Sequence, residues 1–341
     1  MASRGNWSGE TTRGPAYAAL DLGTNNCRLL VARPTNSGFR VIDAFSRIVR
    51  LGEGLAQSGQ LNELAIQRTI DALRVCARKI RRRAVVRSRN VATDACRRAE
   101  NCADFLSRVR NETGIELETI TSLEEAQLAL AGCLPLLGRE EPRGFVFDIG
   151  GGSTELIWID LTEGPNGGGP RILGTLSLPV GVVNVAERYG CDRVGHKAYE
   201  QMVCEIEAML TTFESDHRIR AEIESGAVQM LGTSGTVTTL AGVSQGLPRY
   251  DRTLIDGSFL EREDVRAINA RLADSDYAER VKMSCIGPDR ADLVVAGAAI
   301  LDAIWRTWPV ARLRVADRGL REGILLNLMR EPRTPCSAAI N

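Results

Sequence analysis

The sequence predicts an α/β chain folded as two related domains with a cleft between them. Three observations carry that reading. Two segments share one pattern of apolar strand, aspartate, glycine turn and second strand: Ala18-Ala19-Leu20-Asp21-Leu22-Gly23-Thr24-Asn25-Asn26 and Phe145-Val146-Phe147-Asp148-Ile149-Gly150-Gly151-Gly152-Ser153-Thr154-Glu155. Each heads a run of three strand-like stretches, followed by alternating helical and strand patterns. The 341 residues suffice for about two domains, each large enough to bury its own core.

Residues 1–15 are rich in Gly, Ser, Thr and Arg and read as a disordered tail. Strands are predicted at 16–22, 27–33 and 38–49, an order that suggests an antiparallel meander. A helix follows at 62–80, where Leu64, Ile66, Ile70, Leu73, Ala77 and Ile80 recur at helical spacing. A strand at 84–92 leads through Ala92-Thr93-Asp94-Ala95-Cys96-Arg97 into a helix reaching 111. A strand at 115–121 and a helix at 123–137 close the first half, with the boundary near Leu137–Arg143.

The second half restarts the scheme with strands at 144–149, 154–160 and 171–178. The last two are separated by Glu163-Gly164-Pro165-Asn166-Gly167-Gly168-Gly169-Pro170, a hairpin loop by composition. Helices at 182–190 and 196–214 precede a strand at 227–232, then Gly232-Thr233-Ser234-Gly235-Thr236 and a helix. Helical stretches at 261–273 and 289–307, a strand at 312–316 and a helix at 320–330 complete it. The reading is domain I at 16–138, with the last helix (318–330) returning to it, domain II at 139–317, and a loose tail at 331–341.

Lys+Arg and Asp+Glu both number 43, so net charge argues for neither nucleic acid nor a membrane surface. Nine cysteines without a C-x-x-C pair, and only two histidines, argue against structural zinc and suit a reducing compartment. With no signal-peptide core and no apolar run of membrane-spanning length, the chain reads as cytoplasmic. The run Arg78-Lys79-Ile80-Arg81-Arg82-Arg83, with Arg87 and Arg89 following, reads as a solvated helix end or, alternatively, as a guide for a polyanion. Trp158, Trp305 and Trp308 lie in apolar stretches and read as core.

Glycines let a turn bring its N–H groups close to an anion, and an aspartate at the strand end is placed to hold a hydrated cation or orient a water. Gly23, Thr24 and Asn25 in one turn, and Gly150, Gly151, Gly152 and Ser153 in the other, are the candidate phosphate donors. Asp21 and Asp148 are the candidate metal-proximal carboxylates. Gly232, Ser234 and Gly235, between a strand and a helix, form a third candidate anion site. Each segment also has a plainer reading as a tight turn or a capped helix start. Ser122-Leu123-Glu124-Glu125 likewise has the spacing of a capping box, in which Glu125 would bond the cap backbone.

Six segments in this order resemble the exopolyphosphatase and guanosine pentaphosphate phosphohydrolase family. They are the two glycine turns, Ala92-Thr93 with Arg97, Ser122-Leu123-Glu124-Glu125-Ala126, Gly232-Thr233-Ser234-Gly235-Thr236, and Arg318-Gly319-Leu320-Arg321-Glu322-Gly323. Their order and spacing span nearly all of residues 16–330. Family members usually carry Ser-Asn-Ser where this chain has Thr24-Asn25-Asn26, and a glycine near the position of Leu123. The resemblance implies two ribonuclease H-like domains of the actin, sugar-kinase and heat-shock ATPase type, in the short form without the C-terminal helical region of longer members. It implies Glu125 as general base for an attacking water and Arg97 as a grip on the terminal phosphate. Mg²⁺ or Mn²⁺ is the implied cofactor, held by Asp21 and Asp148. The expected activity is release of the terminal phosphate from polyphosphate, or conversion of guanosine pentaphosphate to the tetraphosphate. An ATP-dependent kinase of a small hydroxylated substrate and a non-catalytic sensor are the competing readings. A homodimer is the prior for assembly.

Overall fold

The computed structural model describes residues 14–330 apart from 37, 139 and 163–169. Most of the expected N-terminal tail, the C-terminal tail and nearly all of the 163–170 loop lie outside the described residues. Two mixed sheets form the frame. The first contains β1 (Ala16–Leu22), β2 (Asn26–Thr35), β3 (Gly38–Ile48), β4 (Val85–Ala92) and β5 (Glu118–Thr119), in the order β3-β2-β1-β4-β5. The second contains β6 (Arg143–Ile149), β7 (Thr154–Asp160), β8 (Arg171–Leu178), β9 (Val228–Thr233), β10 (Phe259–Glu261) and β11 (Arg312–Ala316), in the order β10-β11-β9-β6-β7-β8. Read outward from the meander, β8-β7-β6-β9-β11 repeats the first sheet. In both, three antiparallel strands are followed by two parallel additions. β10 is an extra edge strand that the sequence pattern did not announce.

Period-two alternation distributes the strand side chains to two faces. From β1 and β2, Ala18, Leu20, Leu22 and Leu29 pack with Ile66, Ile70 and Leu73 of the helix Glu63–Arg82. On the opposite face, Tyr17, Ala19, Leu30 and Ala32 pack with Ile324, Leu325 and Leu328 of the final helix Leu320–Arg330. That helix crosses the helix Ser122–Cys133 at backbone contact. A β-carbon on Gly132 would run into the Gly319 carbonyl, and one on Gly323 into the Leu128 carbonyl. The second sheet packs Phe145, Phe147 and Trp158 against helices Gly195–His217 and Val294–Thr307. Trp158, Trp305 and Trp308 are all core, and the Phe145 and Trp308 ring centroids are 4.5 Å apart. Among the described residues no helix is long and apolar enough to cross a membrane.

Three local departures from the sequence reading have physical causes. The helix expected to run to 111 is two, Asp94–Arg98 and Cys102–Thr113, broken where Ala99 turns extended. The helix expected at 123–137 ends at Cys133 and tightens into a 3₁₀ turn at Leu134–Leu136, where Pro135 has no N–H to continue it. In the basic run, Lys79 Nζ, Arg82 Nη2 and Arg83 Nε converge on Asp43 of β3 at 2.6, 3.2 and 2.8 Å. Burial works against ionisation of Asp43, but hydrogen bonds from the three cations hold its carboxyl well below the usual range. Those cations clamp a helix end to a strand.

Candidate active site

The two glycine turns face each other across a cleft of about 710 Å³. Asp21, Gly23, Thr24 and Asn25 line one wall, and Asp148, Gly150, Gly151, Gly152 and Ser153 the other. The turns nearly touch. A β-carbon on Gly151 would lie 3.1 Å from the Asn25 nitrogen, and one on Gly152 would strike the carboxylate of Asp94. Only glycine permits this approach.

Both turns are wired alike. Gly23 N–H closes the first by donating to Asn26 O, and Gly150 N–H closes the second through Ser153 O, each at 2.9 Å. These two N–H groups are therefore used by the fold and are not free for a ligand. The carbonyls are braced from behind. Asn25 O accepts from Val49 and Arg50 N–H, and Thr24 O from Gly52 N–H. In the second turn, Val182 N–H donates to Gly150 O, Val183 N–H to Gly151 O, and Asn184 Nδ2 to Gly152 O. The N–H groups of Thr24, Asn25, Gly151 and Gly152 have no protein acceptor among the described residues. The Thr24 hydroxyl, a further donor, is buried without a partner, as is the acceptor Asn25 Oδ1. Unclaimed donors clustered at a cavity wall form an anion cradle.

The strand register sets the charges. Asp21 stands directly across the β1–β2 pair from Arg28, and Asp148 stands directly across β6–β7 from Glu155. Side chains so paired share one face. One repeat thus pairs its aspartate with a cation and the other with a second acid. Burial raises both aspartates; Arg28 and Arg321 oppose that at Asp21, while a hydroxyl bond from Ser234 and the charge of Arg28 oppose it at Asp148. Ser234 holds a left-handed backbone at φ 76°, strained for a residue with a β-carbon, and its hydroxyl lands on Asp148.

Glu125 lines the same cleft. Its helix is capped one residue earlier than the capping-box spacing suggests: Thr121 is the cap, and its Oγ1 accepts from Glu124 N–H at 3.1 Å. Glu124 pairs with Arg89 on the outside. The shift releases Glu125 from capping, and its Oε2 accepts from Arg97 Nη1 at 2.7 Å. Burial pushes the Glu125 carboxyl well above the usual range, Glu155 raises it further, and Arg97 pulls it back. Glu155 rises to about 7 through burial and the Asp148 charge, despite hydroxyl bonds from Ser153 and Ser177 at 2.6 and 3.1 Å.

Two expected contacts are placed elsewhere. Arg97 lies behind Glu125 rather than in the cavity wall, its Nη1 also donating to Ile120 O at 3.1 Å. Gly232 is inside β9, where the Phe147 ring takes the space of a β-carbon, so it serves strand packing; Ser234 and Gly235 do reach the cleft. The hydroxyl of Ser153 is taken by Glu155. Several wall residues were not singled out from sequence. Arg28 is one, although counting seven residues on from each turn aspartate reaches both Arg28 and Glu155. Asp94, Tyr250 and Arg290 are others, and no local pattern marks them.

Asp21 and Asp148 are two half-buried, cleft-lining carboxylates on facing turns, both raised by desolvation that their protein surroundings only partly offset. Among the described residues no cluster of three or more His, Cys, Asp or Glu could cage a metal unaided. A cation here would take its remaining ligands from water and phosphate, a donor set that suits Mg²⁺.

A model of the Ppx/GppA phosphatase family matches residues 30–331. Among solved structures, an exopolyphosphatase-like protein is 28% identical with a TM-score of 0.82, over 92% of this chain and 97% of its own. The Aquifex aeolicus PPX-GPPA enzyme is 28% identical with a TM-score of 0.75, over 92% and 99%. An exopolyphosphatase from Cytophaga hutchinsonii, 24% identical with a TM-score of 0.80 over 92% and 97%, shares the fold. With two facing α/β domains of like sheet order and a glycine-lined cleft between them, the chain belongs to the Ppx/GppA phosphatase family.

Proposed function

We propose that the chain removes the terminal phosphate from inorganic polyphosphate by in-line attack of water. The observation that carries this reading is the cradle of unclaimed N–H donors from Thr24, Asn25, Gly151 and Gly152, in one cleft with the mostly buried carboxylate of Glu125. Phosphoryl transfer needs positioning and charge neutralisation more than covalent chemistry, and those donors supply both. Glu125 takes a proton from the attacking water as the new P–O bond forms. The bond to the rest of the chain breaks, and its oxygen leaves on the shortened polyphosphate. A carboxylate raised toward neutrality is a better base than one at its ordinary pKa. Arg97 fixes the carboxylate's direction. Mg²⁺ (or Mn²⁺), held by Asp21 and Asp148, would neutralise charge on the phosphate oxygens.

A second substrate, guanosine pentaphosphate, is favoured by another part of the cleft lining. There Tyr250, Leu293 and Val294 offer apolar surface beside Arg290, whose guanidinium lies 5.7 Å from the Tyr250 ring. A base could stack there while the phosphates lie between the turns. The test is phosphate release from short polyphosphate, long polyphosphate and guanosine pentaphosphate with Mg²⁺, each with wild type and Glu125→Gln. Release that depends on Glu125 supports hydrolysis, and the fastest substrate names the specificity. Silence on all three with binding retained would replace this reading with a sensor or a kinase.

A further inference from the structure

One short loop, 49–54, is bonded both to the first phosphate turn and to the opposite half of the molecule. Its backbone braces that turn: Val49 and Arg50 N–H donate to Asn25 O at 2.9 and 3.0 Å, and Gly52 N–H to Thr24 O at 2.9 Å. From the same loop, Arg50 Nη2 reaches Asp292 Oδ2 at 2.6 Å, and Gly54 N–H donates to Glu187 Oε1 at 2.9 Å. Asp292 belongs to the segment that supplies Asp289, Arg290 and Leu293 to the cleft wall. That segment is itself pinned. Arg280 is fully buried, its Nε donates to Ala291 O at 2.8 Å, and its other nitrogens bond the carbonyls of Ser275, Cys191 and Asp192.

We propose that Arg50 and Asp292 are a positioning pair coupling closure of the cleft to the seating of phosphate in the first turn; this rests on the phosphate-binding reading above. The Arg50 amide fixes the carbonyl of Asn25 while its guanidinium holds the far wall, so one residue ties both sides. Its backbone is left-handed at φ 49°, a conformation a residue with a β-carbon keeps only when its surroundings impose it. Asp292 has a 12% exposed side chain, and Oδ1 is buried without a partner, so Arg50 carries its ion pairing among the described residues. Arg50 is 42% exposed, which limits the pair to about a fivefold effect on an equilibrium. A latch of that strength can open to release product.

Hydrogen exchange at residues 49–52 tests the coupling without turnover. Asp292→Asn, a change in the other half of the molecule, should speed exchange there by about two- to fivefold. It should raise KM for tripolyphosphate by a similar factor while leaving kcat within about twofold. The charge-swapped double variant Arg50→Asp with Asp292→Arg should restore both, and Arg50→Lys, with Asp292 intact, should show only part of the change. Unchanged exchange in Asp292→Asn, or a folded swap that restores neither quantity, overturns the proposal. A protein that hydrolyses no polyanion but shows the coupled exchange would overturn the functional reading alone.

Discussion

Arg97 Nη1 and Glu125 Oε2 meet at 2.7 Å although 28 residues separate them in the chain. The contact exists because the helix Asp94–Arg98 stops after little more than one turn, while the helix carrying Glu125 starts at Ser122. Both side chains are mostly buried, at 17% and 15% exposed, so solvent screens the pair weakly. The arginine tunes the candidate base from behind, and its Nη2 is buried with no partner of its own.

Glu125→Gln should lower phosphate release by about 10²- to 10⁴-fold, the usual contribution of a general base. Calorimetric affinity for tripolyphosphate should change little, because the cradle N–H groups belong to other residues. A comparable loss of affinity and rate would move Glu125 from catalysis to structure.

The direction of the Glu125 shift fixes a pH profile. A general base works ionised, so its raised pKa places the acidic limb of the rate well above the range of an ordinary carboxylate. Arg97 pulls that pKa down. Arg97→Ala should therefore move the limb to higher pH as well as reduce kcat, and Arg97→Lys should return part of the shift. A rise in KM alone, with the limb unmoved, would reinstate Arg97 as a phosphate contact.

Contiguous features were legible in the sequence. Each turn aspartate and its glycines arrive on one strand-turn-strand segment, so their mutual geometry is local. Their pairing across the cleft follows from the repeated sheet order. What depended on helix ends was less legible. A one-residue difference in capping, Thr121 instead of Ser122, decides whether Glu125 bonds its own backbone or faces Arg97. Gly232 and Gly235 look equivalent in the sequence, but only one has a neighbouring ring in place of a β-carbon. Tyr250 and Arg290 come together only through tertiary packing of segments far apart in the chain.

Asp148→Asn should raise the Mg²⁺ concentration needed for half-maximal activity by at least about tenfold, one carboxylate being a large share of such a site. Asn retains an acceptor for the Ser234 hydroxyl, so the fold around the strained turn should survive. The check is phosphate release titrated with Mg²⁺ alongside thermal unfolding. An unchanged Mg²⁺ midpoint would remove Asp148 from the metal site.

Gly152→Ala and Gly235→Ala separate close approach from mere turn composition. A β-carbon at Gly152 strikes Asp94 and lies near Thr24, whereas one at Gly235 meets nothing within 4 Å. The first should lose about 1–3 kcal/mol of stability by overpacking between the turns. The second should stay within about 0.5 kcal/mol of wild type. Urea unfolding of both variants decides, and equal stabilities would mean that the turns can part without loss.

Glu155 gives the stability of the protein a defined pH slope. Its folded pKa rises to about 7 from an ordinary 4.5, mainly through burial and then the Asp148 charge. Between those values the native state holds a proton that the unfolded chain releases, so stability falls as pH rises through the window. The fully developed loss is at most about 3 kcal/mol, because each tenfold difference in proton affinity between the folded and unfolded chain is worth about 1.4 kcal/mol. Glu125 is raised as well and acts with the same sign, so removing Glu155 should reduce the slope without abolishing it. Urea unfolding with chelator present, at pH 5 and pH 8, should show wild type less stable at the higher pH. In Glu155→Gln, which keeps an acceptor for Ser153 and Ser177 but cannot ionise, that difference should shrink. Superimposable pH dependences for the two proteins would show that Glu155 is ionised throughout, and the acid facing Asp148 would then be a charge the cleft must neutralise in some other way.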